Sequence, residues 1–241
     1  MDNSKLEKLM SILKDSKKIV FFGGAGVSVA SGIPDFRGAN GLYNFTPEEI
    51  ISHHFFINNT KEFYEFYWSK MVYPHALPNE CHKALKYLED IGKLTAIVTQ
   101  NIDGLHQMAG SNKVYELHGS IHRNYCMKCH KFYNLNELDF TSVPHCSCGG
   151  IIKPDVVLYE EGLDDKTINQ AIDAISSCDT LIVAGTSLVV YPAASFVRFF
   201  KGKHLIIINL GQTSYDYLAE LAINGKVEEY LNISNFKKYD I

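Results

Sequence analysis

The sequence predicts a doubly wound α/β fold built on a parallel sheet. Three observations carry that expectation. Short Val/Ile-rich apolar runs recur at residues 18–22, 94–99, 180–184 and 205–208. Stretches with helical apolar spacing lie between them, at 81–91, 166–176 and 191–200. The first run leads directly into Gly23-Gly24-Ala25-Gly26. Continuous rather than alternating apolar runs fit strands covered on both faces, and strand–helix alternation fits α/β order.

Taken along the chain, Leu6, Leu9, Met10 and Leu13 recur at i, i+3, i+4 and i+7, which predicts a first helix over 2–16. The run at 18–22 is a buried strand feeding a glycine turn, and a helix is expected after the turn. Residues 36–79 interrupt the alternation; they include Phe63-Tyr64 and Phe66-Tyr67-Trp68 and read as helices and loops forming a lid or side module, with aromatics expected to pack its own core. Residues 118–152 hold four of the six cysteines and no long periodic element, which reads as an inserted metal ribbon.

Composition excludes little beyond the extremes. The 241 residues are 46% hydrophobic and 21% charged, with 23 Lys+Arg against 27 Asp+Glu and a net charge of −4. That balance offers no electrostatic case for bulk nucleic-acid or anionic-membrane binding. No apolar run approaches the ~20 residues that span a bilayer. The opening residues lack the apolar core of a signal peptide, so a cytoplasmic location is expected.

Several segments have residue types suited to chemistry. Gly24-Ala25-Gly26-Val27-Ser28 follows a strand, where glycines let backbone approach a phosphate. It is an incomplete dinucleotide fingerprint, because Val29 stands where a third glycine is expected. Asp35, Phe36 and Arg37 follow closely and suit a nucleotide clamp. Thr99-Gln100-Asn101-Ile102-Asp103 begins at a strand's carboxyl end, where α/β sheets bind ligands. His118 precedes Gly119 after a short strand-like run and can act as a base near neutral pH, with His106 and His122 as rivals. Gly185-Thr186-Ser187 and Asn209 end two further strands.

The strongest local signal is Cys126-x-x-Cys129, separated by sixteen residues from Cys146-x-Cys148. Two close pairs across such a gap match a structural zinc site. The second pair is irregular, and His145 is an alternative ligand to Cys146. Cys81 and Cys178 sit in apolar helical contexts and read as small buried hydrophobes.

In order, these segments resemble one family, the sirtuins of bacterial type, which are NAD-dependent protein deacylases. The series runs through Gly32-Ile33-Pro34-Asp35-Phe36-Arg37-Gly38, Glu116-Leu117-His118-Gly119, the cysteine pairs, Lys153-Pro154-Asp155-Val156-Val157 and Asn209-Leu210, and covers about residues 18–231. The resemblance implies a Rossmann-like NAD-binding domain assembled from 1–35, 80–117 and 153–241, a cofactor loop and helical module over 36–79, and a zinc-binding module over 118–152. It implies transfer of the acyl group from acyl-lysine to ADP-ribose with release of nicotinamide; ADP-ribosyl transfer and NAD hydrolysis are the alternatives on such a scaffold.

By position, the resemblance makes His118 the base and gives Asn101 and Asp103 the nicotinamide pocket. Gly24, Ala25, Gly26, Ser28, Ile33, Pro34, Asp35, Phe36, Arg37, Gln100 and Ile102 would line the cofactor. Gly185, Thr186, Ser187, Asn209 and Lys226 would reach its phosphate and adenosine parts. Val156, Val157, Tyr159, Glu160 and Val190 would hold the acyl-peptide. The partners implied are NAD, one structural zinc and an acyl-lysine protein or peptide, with no nucleic acid or membrane, and the chain is expected to be monomeric.

Two departures stand out. The family's substrate strand usually ends Phe-Gly-Glu, whereas this chain has Tyr159-Glu160-Glu161; the extra carboxylate is expected either to favour basic peptide flanks or to narrow the substrate range. The Tyr-x-x-Arg pair of desuccinylating members resembles Tyr64-Glu65-Phe66-Tyr67 here, with no arginine, so neutral acyl groups are expected.

Overall fold

A computed structural model describes residues 2–35 and 47–241. In chain order the elements are α1 (Asn3–Asp15), β1 (Ile19–Gly23), α2 (Pro47–Ile50), α3 (His53–Asn58), α4 (Thr60–Lys70), α5 (Glu80–Asp90), β2 (Leu94–Thr99), α6 (Leu105–Met108), β3 (Val114–Glu116), β4 (Gly119–Cys126), β5 (Phe132–Asn134), β6 (Ile152–Val156), α7 (Asp165–Ser177), β7 (Thr180–Ala184), β8 (His204–Asn209), β9 (Leu221–Asn224), α8 (Val227–Tyr230) and α9 (Ile233–Lys238). Six strands form one sheet in the order β3-β2-β1-β7-β8-β9, every neighbour parallel. Strand order turns back at β1, which places a crevice at its carboxyl end.

The two faces of this sheet explain the unbroken apolar runs. Phe21, Ile97, Ile182 and Ile206 face a layer that includes Leu9 and Leu13 of α1 and Leu85 of α5. Val20, Phe22, Val98 and Val183 face the opposite layer, with Ala171 and Ile175 of α7. Burying both faces lets every strand position be apolar. Helix α1 begins where Asp2 accepts from the Lys5 amide, and it buries Leu6, Leu9, Met10, Ile12 and Leu13.

Two expected helices take another form. The glycine turn opens into two short 3₁₀ turns, Ala25–Val27 and Val29–Ser31, not an α-helix. Gly32 stops them at φ 85°, and Pro34 lies two residues on. Residues 193–199 form a 3₁₀ segment with Ala193, Ala194, Phe196 and Val197 buried. Their spacing of three keeps each pair on one face of a three-residue turn.

The two insertions share a core. Phe56, Phe63, Tyr64 and Tyr67 of the helical module bury against Ile121, Leu135, Val156 and Leu158. The Tyr64 hydroxyl donates to the Ile152 carbonyl, and Trp68 Nε1 donates to the Ser142 carbonyl at 2.9 Å. The ribbon is a three-stranded antiparallel sheet, order β5-β4-β6. Arg123 ties it to the main sheet, meeting Glu116 at 2.6 Å and Asp155 at 2.7 Å.

Beneath the crevice lies a buried histidine pair, His82 and His106, with ring centroids 4.7 Å apart. His82 Nδ1 accepts from the Asn79 amide; neither ring nitrogen of His106 has a partner among the described residues. Burial lowers the His82 pKa to about 4 and lowers that of His106 well below its ordinary value, with the neighbouring His82 adding to the effect. The unfolded chain therefore binds more protons than the folded one below pH 6.5. Stability should be complete above about pH 6.5 and fall as pH drops towards 4, by up to about 1.4 kcal/mol per pH unit for each histidine. Urea unfolding across that window checks this; a flat profile contradicts it.

Candidate active site and metal centre

The first feature of the crevice is a contact between two backbones. Gly24 donates its amide to the Ala184 carbonyl at 3.1 Å, and Gly26 donates to the Gly185 carbonyl at 2.8 Å. A Cβ on Gly26 would come within 2.7 Å of the Gly185 Cα, and one on Gly185 within 2.5 Å of the Val27 amide nitrogen. The glycines are thus required for the turns after β1 and β7 to interlock. Ala25 and Gly26 stay partly exposed while Gly24, Val27 and Ser28 are buried, so the turn offers main chain at the crevice.

Behind it lies a polar cluster. The Ser28 hydroxyl donates to Asp103 Oδ2 at 2.6 Å, and Asn101 Nδ2 donates to Ser28 Oγ at 3.1 Å. The Leu105 amide donates to Asp103 Oδ1 at 2.9 Å. Burial raises the Asp103 pKa; the Ser28 hydroxyl and the Leu105 amide oppose that rise. Asn101 is held by its own amide, which donates to Thr99 Oγ1.

Gln100 and His118 form the next layer. His118 Nδ1–H donates to the Gln100 carbonyl at 2.9 Å. This fixes the tautomer that leaves a lone pair on Nε2. Burial lowers the His118 pKa, opposed by that backbone bond, so the imidazole is neutral at neutral pH. Gln100 Nε2 donates to Thr186 Oγ1 at 3.1 Å, joining β2's end to β7's. Of the rival histidines, His106 is buried in the core, and His122 Nε2–H donates to the Asp103 carbonyl at 3.0 Å while its ring packs on Gly104.

The remaining expected residues spread around this centre. Ile33 donates its amide to the Ser28 carbonyl, and Ile102 accepts from the Ile121 amide. Pro34 and Asp35 are partly buried at the end of the described segment, and Phe36 and Arg37 lie outside the described residues. Ser187 and Val190 follow Thr186 on one loop, both partly exposed. Asn209 ends β8 and donates its side chain to the Gly211 carbonyl. Lys226 is exposed at the start of α8. Val156 and Val157 leave β6 beside His118, whose carbonyl accepts from the Val157 amide at 3.0 Å. Tyr159 and Glu160 instead engage the helical module: Tyr159 accepts from the His53 amide and Glu160 from that of His54.

Asn79 was missed by sequence reasoning. Its side chain donates to the Val27 carbonyl at 2.7 Å and to Ser31 Oγ at 3.0 Å, which steadies the glycine turn from α5. An Asn just before a helical pattern is a legible N-cap, but its reach across 52 positions is not.

The cysteines assemble as one group. The sulfurs of Cys126, Cys129, Cys146 and Cys148 all lie within 4.8 Å of one another. Cys126 Sγ accepts from the Lys128 and Cys129 amides, and the Tyr133 hydroxyl donates to Cys146 Sγ at 3.1 Å. The Cys146 thiol is pulled down to about 5, first by the Cys148 amide and then by that hydroxyl. N–H and O–H groups aimed at sulfur favour thiolates, which suits a cation at their centre. His145 stays outside the group; its Nδ1 is bonded to the Val143 carbonyl.

The family model described as Sir2 family matches residues 24–192. An NAD-dependent protein deacetylase of Clostridium perfringens is 58% identical over 238 residues, covering 95% of this chain and 98% of that protein. A structure described under the mechanism and regulation of Sir2 enzymes is 40% identical, with a TM-score of 0.91 and 99% coverage of both chains. A Sir2 complex with a p53 peptide and NAD+ is 37% identical, with a TM-score of 0.85, and covers 97% of this chain and 98% of that one.

Gly119 supplies a test of this geometry. It sits at φ 76°, and a Cβ there would lie 1.8 Å from the Asp155 carbonyl oxygen, a backbone atom that cannot swing aside. Gly119→Ala should cost roughly 1–3 kcal/mol for the backbone conformation alone. It should also displace His118 and lower turnover. Thermal unfolding with a parallel activity assay measures both; a variant as stable and active as the parent contradicts this placement.

Proposed function

The chain belongs to the Sir2 family, and we propose on that premise how its residues perform NAD-dependent deacylation of acyl-lysine in proteins or peptides. The observation that carries the proposal is His118, neutral and anchored through Nδ1 on Gln100 at the carboxyl end of β2. The donor set suits a dinucleotide: exposed main chain at Ala25-Gly26, the Ser28–Asn101–Asp103 cluster, and the strand ends at Gly185 and Asn209. NAD, when bound, supplies an anomeric ribose carbon with nicotinamide as leaving group and accepts the acyl group.

The chain's own part is positioning and one proton transfer. Asn101 and Asp103, already cross-linked through Ser28, are assigned to orient the nicotinamide side. Gln100, Gly185, Thr186, Ser187 and Asn209 are assigned to the ribose and phosphate side, and Lys226 to the adenine end. His118 Nε2 is assigned to take a ribose hydroxyl proton. Because burial lowers its pKa, the base stays available below the usual histidine range; activity should fall on the acid side at a pH under the ordinary 6.5. Val156, Val157 and Val190 are assigned to the acyl-peptide, which adds to the strand edge. Acetyl and longer neutral acyl groups are favoured, since Tyr67 stands where the Tyr-x-x-Arg pair has its arginine and both Tyr64 and Tyr67 are buried among apolar side chains.

Incubation with NAD and acetyl-, propionyl- and succinyl-lysine peptides tests this by product mass. Acyl-ADP-ribose should form from the first two and only marginally from the third. His118→Ala should lose at least about 100-fold in kcat. Free ADP-ribose with acyl-lysine left intact would favour NAD hydrolysis, and rapid desuccinylation would overturn the acyl assignment.

For the cysteine group, four thiolates closing a tetrahedron suit zinc in a structural role. Purified protein should carry about one zinc per chain. Cys146→Ala should lose the metal and lower the thermal midpoint, and elemental analysis with thermal unfolding checks both; full metal content in that variant would point to another ligand set.

A further inference from the structure

Glu160 occupies a backbone conformation that favours glycine, with φ at 76°. A carboxylate kept at such a position calls for a physical reason, and its contacts supply one. Glu160 Oε2 accepts from the His54 amide at 2.8 Å. His54 belongs to the first turn of α3, whose early amides have no partner within the helix. Their full account is short. The His53 amide donates to the Tyr159 carbonyl at 2.9 Å. The His54 amide goes to Glu160, and the Phe55 amide to Ser52 Oγ at 3.1 Å. Two of the three caps therefore come from residues 159 and 160, more than a hundred positions away.

Four further contacts surround this junction. The Tyr159 amide donates to the Ile51 carbonyl at 3.0 Å, making a parallel bridge between Ser52 and Tyr159. His53 Nδ1 meets Glu161 Oε1 at 2.9 Å. Glu161 also accepts from the Leu158 amide and from Lys153. One edge of the segment after β6 is thus engaged by His118 and the helical module, while Leu158, facing the other way, has its amide and carbonyl bonded to Glu161.

We propose that Glu160 is a positioning residue for acyl-peptide recognition. Its carboxylate caps α3 from outside the helix and so holds the segment 157–159 in place for strand addition. Its charge serves this internal bond and does not select basic residues in the substrate. The proposal rests on the deacylase reading and adds to it the device that sets the peptide edge.

The test compares Glu160→Gln, Glu160→Ala and Glu160→Gly. The Gln oxygen can accept the same amide; Ala loses the cap; Gly loses the cap and relieves the backbone. At saturating NAD, Ala and Gly should raise the peptide KM by about tenfold with kcat within about twofold, and Gln should stay within about threefold of the parent. The rise should be equal for acetyl-lysine peptides with lysine or glutamate flanks. Hydrogen exchange of the His53 to Phe55 amides, read without substrate, should quicken in Ala and Gly but not in Gln. A Gly variant with the parent's KM, a KM change confined to lysine-flanked peptides, or unchanged exchange in the Ala variant would each overturn the proposal. Because exchange needs no turnover, failure of the cap and failure of the deacylase reading register separately.

Discussion

The site depends on the bonds of one residue, Gln100. Its amide donates to the Gly23 carbonyl at the end of β1. Its carbonyl receives His118 Nδ1, and its side chain reaches Thr186 beyond β7. Three strand ends and the imidazole thus share a single anchor. The anchor is effective because the strands beneath it are parallel and in register, Gly23 opposite both Thr99 and Ala184. A parallel sheet brings these carboxyl ends to one level, and the glycine turns then interlock without side chains between them.

Around that anchor, polar groups are buried in matched sets. Ser28, Asn101 and Asp103 satisfy one another, and Asp103 remains a group whose charge is opposed by its surroundings. His122 supports this cluster from β4 through the Asp103 carbonyl, and Asn79, the N-cap of α5, steadies the adjoining glycine turn. Each such pair restricts one rotamer, and together they hold the crevice in one arrangement before any ligand arrives.

Much of this was legible in the chain. The four long strands of the main sheet lie where apolar runs predict them, because burial on two faces leaves a plain mark in composition. The cysteine group forms from the expected four residues, because ligand spacing is a local property. Other features were not legible. Whether the stretch after Gly26 would form an α-helix or 3₁₀ turns depended on its packing against Gly185, 159 positions away by sequence number. The carboxylate of Glu160 turned out to be bonded to a helix that composition marked only as aromatic-rich. Nothing in the residue types at His53 and His54 marks their backbone amides as the ones that would matter. Local periodicity has no access to partners of this kind.

The shared core of the two insertions has a consequence for how the chain is made. The aromatic face of α4 is synthesised about fifty residues before β4 and nearly ninety before β6, the strands that cover it. Until β4 has emerged, Phe63, Tyr64 and Tyr67 have mainly their own module for company, chiefly Phe56, Trp68 and Val72. Contacts of such separation close slowly, and a growing polypeptide holding uncovered aromatic surface is open to wrong associations. The segment after β6, to which the acyl-peptide is assigned, therefore arrives well after the helices that it shelters.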